Sequence, residues 1–226
     1  MAYRTILGVD STPEWLEHEK IETIIKKRHI PTNQAFILDN ESYTEALITR
    51  AKAQAKELGS DSIITTGDTL ALETIKNNLK DDSQPVQIRF FDKTGKPVFK
   101  MVNCYVEKLI PMSWNIENCF DEFPPQAISE LKGAYQDNLS FFLPHFRRLD
   151  GQSITIQELP QSDYYAIIFW NNIMIKPSKK LIKEMEAYSQ EFDQHSIHFL
   201  YVNNHNAMIW TQLNDEQKEE IRTSGL

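Results

Sequence analysis

Residues 164–170, YYAIIFW, are an almost unbroken apolar run of strand-forming types. Such a run fits a strand covered on both faces, the pattern of a sheet interior rather than of a surface element. Behind it, Leu181, Met185, Tyr188 and Phe192 recur at helical spacing, and SIHFLYVN (196–203) supplies a second β-rich run. A strand, a helix and a strand of these lengths close as a right-handed crossover with the two strands parallel. The chain is therefore read as an α/β protein.

Upstream, Ser11 and Glu14 match a helix-start pattern, with Leu16, Ile21, Ile24 and Ile25 as the apolar face of a helix over 11–28. Lys26, Lys27 and Arg28 suit its last turn, where cations meet the helix dipole. QAFILD (34–39) reads as a strand, and Tyr43, Leu47, Ala51, Ala55 and Leu58 mark a helix stopped by Gly59. DSIIT (61–65) reads as a strand, followed by a helix from Asp68 with Leu72, Ile75 and Leu79 on one face. Residues 84–106 form a hairpin pattern about Asp92-Lys93-Thr94-Gly95. PPQAISELKGAY (124–135) is expected to be helical through Ile128, Leu131 and Tyr135. FFLPHFRRLDGQSITIQEL (141–159) reads as two extended pieces about Asp150-Gly151, and NDEQKEEIR (214–222) as a helix capped by Asn214 or Asp215. Residues 34–135 thus read β-α-β-α-β-β-α, with a β-α-β-α unit behind them.

A net charge of −8 weighs against a nucleic-acid backbone or an anionic membrane surface as partner. No apolar stretch reaches the ~20 residues of a membrane span. MAYRTILGVD lacks the build of a secretory signal, so the chain as given is expected to be cytoplasmic, or periplasmic or envelope-located if a leader has been removed. Seven glycines, none in a G-x-G pattern before a helix, give no support to nucleotide binding, and no cofactor is expected.

Residues 141–210 resemble the thioredoxin-like domains of bacterial envelope thiol-disulfide oxidoreductases and peroxiredoxin-like proteins. The matching features are Leu149-Asp150-Gly151, the Ile156/Leu159 stretch, Ile167-Ile168-Phe169-Trp170, Pro177 and its helix, and a strand ending Tyr201-Val202-Asn203. Active members place Cys-x-x-Cys between the Trp and the helix; here Ile175-Lys176-Pro177-Ser178 is the best-fitting stretch and carries no sulfur. The resemblance implies a fold that continues with a hairpin, for which only 16 residues remain after Trp210. Pro85–Val102 resembles that hairpin, with Pro85 at the place of its cis-proline. Two arrangements follow: two thioredoxin-like units, divided as 1–140 and 141–226, or an upstream hairpin that completes the C-terminal sheet. The element order favours the first.

By the same resemblance, Trp170, Asn171, Asn172, Pro177 and Pro85 would line a groove for an extended chain. The implied role is a non-catalytic binding or scaffold module with a protein or peptide partner. Cys104 and Cys119, the chain's two cysteines, admit three readings: free thiols, a structural bridge, or a redox pair. The last would make the protein a thiol-disulfide exchanger or peroxide-handling enzyme. A further reading is a stable subunit with no small-molecule site. His195, His198 and His205 lack metal-ligand spacing, His195 and His198 pointing to opposite faces of one strand. Asp81-Asp82 and Asp121-Glu122 read as solvated loop charge. Trp114, Phe120, Phe123, Phe141, Phe142 and Phe146 read as packing at the joint of the two halves, with a partner groove as the alternative.

Overall fold

The computed structural model describes residues 10, 13–57, 69–105, 113–132, 134 and 136–224. Among them are seven α-helices: α1 (His18–Lys27), α2 (Asn40–Glu57), α3 (Thr69–Asp82), α4 (Leu139–Phe142), α5 (Ile175–Glu191), α6 (His205–Trp210) and α7 (Asp215–Ser224). The six strands are β1 (Ala35–Leu38), β2 (Gln87–Asp92), β3 (Pro97–Val102), β4 (Phe146–Arg147), β5 (Tyr164–Trp170) and β6 (Ile197–Asn203). They form one mixed sheet in the order β3-β2-β5-β6-β1-β4.

The strand pairing explains the apolar run. β5 lies at the centre, parallel to β6 from Tyr164↔Ile197 to Trp170↔Asn203 and antiparallel to β2 from Gln87↔Phe169 to Asp92↔Tyr164. Neighbours on both sides and helices on both faces demand apolar residues at successive positions. Ala166, Ile168 and Trp170 pack on one face with Ile21 and Ile25 of α1 and Leu181 and Met185 of α5. Tyr165, Ile167 and Phe169 pack on the other with Tyr43 and Leu47 of α2, Phe142 of α4 and Ala207 of α6. The carboxyl ends of β1, β5 and β6 lie along one edge, since these three strands are parallel.

Of the two arrangements the sequence admits, the element order favours two units, whereas the strands form one sheet that the upstream hairpin joins. The hairpin β2–β3 pairs with β5, so strands from before and after residue 140 share the sheet. Pairing of the hairpin's first strand in register with the most apolar strand buries both, which no separate upstream sheet would do for β5. The stretch 61–65 lies outside the described residues, as do Ser11, Leu58, Gly59 and Asp68.

Other local readings also change. The first described helix starts at His18, with Glu17 at its cap. Among the described residues of the helix expected over 124–135, which exclude Gly133 and Tyr135, only Ser129–Leu131 are helical, as a 3-10 turn flanked by extended Ile128 and Lys132. Buried Ile128 and Leu131 anchor this irregular stretch to the core instead. Residues 139–145 are helical and 3-10 rather than extended. The C-terminal helix is capped by Asn214, whose side chain accepts the Gln217 N–H at 2.9 Å while Gln217 Oε1 accepts the Asn214 N–H at 3.0 Å. The hairpin turn keeps its expected chemistry: Asp92 Oδ1 accepts the N–H groups of Thr94 and Lys96, and Gly95 adopts φ 81°.

Candidate binding site at the carboxyl ends of the parallel strands

The loop between β5 and α5 is held by asparagine side chains. An amide both donates and accepts, so one buried Asn can satisfy several backbone groups of an irregular turn. Asn171 Oδ1 accepts the Met174 N–H at 2.7 Å, and its Nδ2 donates to Pro85 O at 2.8 Å and to Asn204 Oδ1 at 3.0 Å. Asn204 Nδ2 donates to the same Pro85 carbonyl at 3.0 Å. Ser178 Oγ accepts the Asn171 N–H and donates to Asn171 O, both at 3.1 Å. The best-fitting place for a second sulfur is therefore a buried hydroxyl with both its bonds spent on the preceding loop.

The structure brings Pro85 to Asn171, as a groove would require, but by a buried network. Trp170 and Asn171 are 0 % exposed and Pro177 is buried in the first turn of α5, while Pro85 and Asn172 are half-buried. The cis peptide among the described residues precedes Pro124, not Pro85. Trp170 is covered by α1: Arg28, at its C-terminal cap, stacks over the indole with 4.4 Å from guanidinium carbon to ring centroid. Arg28 Nη2 donates to Asn172 Oδ1 at 2.8 Å and to Asn171 O at 3.3 Å. Trp170 is thus enclosed by the chain's own residues. The sequence placed Arg28 as a helix-end cation, and no local signal tied it to a residue in the other half.

Two strands from β5 along the same edge, a cleft of about 390 Å³ opens beyond β1. Trp15 and Trp210 meet there at 6.1 Å between centroids. Leu16, Ile21 and Ile37 add apolar lining, and Arg147 and Arg222 add charge. The segment before α1 forms one wall and is held by α6. Asn206 donates to Leu16 O at 2.9 Å and accepts the Leu16 N–H at 3.0 Å, and His205 Nε2 contacts Glu14 O at 2.9 Å. Asp39 starts α2 by accepting the Ser42 N–H and pairs with Arg147 Nη2 at 2.7 Å. Arg222 pairs with Glu41 and Glu219. The cleft presents aromatic faces and ion pairs of both signs. It was not legible locally, because its lining comes from five separate stretches of chain.

Cys104 and Cys119 are free thiols in the structure, Cys104 exposed and Cys119 buried. Burial pushes the Cys119 thiol up to about 12, and partial burial beside Asp81 raises Cys104. Both shifts reduce the thiolate that sulfur chemistry needs. The histidines are dispersed: His195 stacks on Phe123 at 4.1 Å, His198 meets Tyr165 edge-on, and His205 holds Glu14.

Asp81 and Asp82, expected in solvent, are 4 % and 1 % exposed. Asp82 binds Arg89 at 2.5 Å and Arg50 at 2.6 Å, with Lys100 Nζ 3.6 Å away. Burial would raise the Asp82 pKa, but Arg89, Lys100 and Arg50 hold it below the usual carboxylate value. The partners come from α2, α3, β2 and β3, so only folding assembles them. Comparison with protein-family models, curated proteins and solved structures finds no match for this chain.

Proposed function

We propose that this chain is a non-catalytic, thioredoxin-like binding module whose working surface is the Trp15–Trp210 cleft. The observation that carries the reading is that cleft, of about 390 Å³, placed outside the carboxyl ends of parallel strands. Ligands of open α/β sheets collect at that edge, and pockets of this size with aromatic walls and a few polar groups suit small ligands or peptide segments. The thioredoxin-like part of the proposal is supported by the order β6-β5-β2-β3, a parallel crossover pair extended by an antiparallel hairpin. In this reading the hairpin precedes the crossover unit in the chain.

The non-catalytic part is supported by the loop chemistry: Ser178 locked into the turn, and two thiols whose pKa values lie above the ordinary range. A titration followed by amide NMR tests the reading, with pools of short peptides as probes. Shifts centred on Asp39–Glu41 and Asn206–Trp210, lost in Trp210→Ala, support it. Absence of any saturable shift overturns the binding role. Disulfide reduction that turns over and disappears in Cys104→Ser overturns the non-catalytic one.

A further inference from the structure

Among the described residues, three buried donors beneath α1 have no acceptor: Arg28 Nη1, Trp170 Nε1 and Asn203 Nδ2. Trp170 and Asn203 are 0 % and 1 % exposed. The three residues share one patch. Trp170 and Asn203 are register partners on adjacent strands, so their side chains project from the same face of the sheet. Arg28 lies on the Trp170 ring, 4.4 Å from its centroid. Folded proteins leave few buried donors unpaired, because each such group costs about 1–3 kcal/mol. Three in one patch point to an acceptor that the described residues do not supply.

The charge points the same way. Arg50, Arg89, Arg147, Arg148 and Arg222 each have a carboxylate partner. Arg28 has none among the described residues, and its bonded Nη2 ends on the neutral Asn171 O and Asn172 Oδ1. Burial without a counter-ion brings its pKa down to about 10. A guanidinium is suited to meet an oxyanion edge-on while its face rests on an aromatic ring.

We propose that Arg28, Trp170 and Asn203 form a binding site for a small monoanionic carboxylate. One guanidinium balances one negative charge. A phosphate dianion would carry a second charge into the same patch with nothing to compensate it. None of the three residues lines the Trp15–Trp210 cleft. The site therefore goes beyond the binding role proposed above, and either can fail without the other.

The chain has four tryptophans, so its indole N–H signals form a small set in a proton–nitrogen NMR spectrum. Trp170→Phe, which keeps an aromatic ring and removes the donor, assigns the relevant one. The full chain is titrated with acetate and with butyrate, chloride holding the ionic strength constant, and separately with inorganic phosphate. The expected result is a saturable downfield shift of the Trp170 indole proton with either carboxylate, weakened roughly tenfold or more in Arg28→Met. A signal that stays still, or that moves equally in Arg28→Met, overturns the site. Equal affinity for phosphate overturns the ligand class. If Arg28→Met does not fold, a crystal structure of the wild-type chain grown in butyrate decides. A carboxylate on the three donors supports the proposal, and waters alone on them overturn it.

Discussion

The guanidinium of Arg28 rests on the indole of Trp170, 4.4 Å from ring centroid to guanidinium carbon. The two residues come from opposite halves of the chain, and their contact closes α1 over the end of β5. The stacking is favourable, but Arg28 is a largely buried cation with no carboxylate partner among the described residues. These terms oppose one another. Arg28→Met, which keeps the stem and removes the charge, is expected to unfold within about 1 kcal/mol of wild type or above it. Urea denaturation measures this, and a loss of several kcal/mol would show that the charge is needed for folding.

Asp82 is the opposite case. It is 1 % exposed and central to the contacts with Arg89, Arg50 and Lys100. Asp82→Asn leaves buried cations short of charge, with an expected cost of about 3–5 kcal/mol. Its lowered pKa fixes the pH dependence. The native carboxylate releases its proton more readily than the unfolded one, so its stabilisation is complete above the ordinary value of 3.8. That stabilisation is lost as the pH falls through the lower native value. Acid titration of stability should therefore be flatter in Asp82→Asn.

A second loss sets in at milder acidity. Burial lowers the pKa values of His145, His198 and His205 below the ordinary 6.5. Just below that pH the unfolded chain binds protons that the native chain does not, so stability falls as the pH falls. The melting temperature should drop between pH 7 and pH 5, a window taken from the ordinary histidine value. His205→Gln should reduce this drop. An unchanged slope would show that His205 contributes nothing to it.

The thiols should separate by exposure and not by partner. Cys104 is exposed and Cys119 is 1 % exposed. In the native chain one alkylation is expected, slow at neutral pH because the Cys104 pKa is raised. A second should appear only on unfolding. Intact mass against time distinguishes this from two equivalent sites.

Two glycines at positive φ should respond differently to alanine. Gly95 and Gly151 have φ of 81° and 84°, so each substitution carries backbone strain of roughly 1 kcal/mol. At Gly95 an added Cβ also meets Leu139 Cβ at 3.3 Å, whereas Gly151 has open space. Gly95→Ala is expected to lower the urea midpoint further than Gly151→Ala. Equal effects would show that the hairpin turn and the segment at Leu139 give way together.

Elements with a strong local period were legible. Tyr43, Leu47, Ala51 and Ala55 are the buried face of α2 as their spacing requires, and the apolar runs of β5 and β6 are strands. Turn chemistry was equally direct at Gly95 and at Asn214, where neighbouring residues alone satisfy the backbone. Among its described residues the helix expected at 124–135 was not formed, because Ile128 and Leu131 gain more by reaching the core than by aligning on a helix.

The sequence by itself determined which segments would be buried and how they would be bounded, since both follow from apolar periodicity and local turn geometry. Which strands would pair was decided only in three dimensions, when β2 met β5 and joined the two halves in one sheet. The polar sites belong to the same level. Arg28 meets Trp170, Asp82 meets Arg89 and Arg50, and Trp15 meets Trp210 through contacts between separate elements. Buried charges and donors must find partners wherever the fold places them, and residues brought together from separate elements leave no local pattern to read.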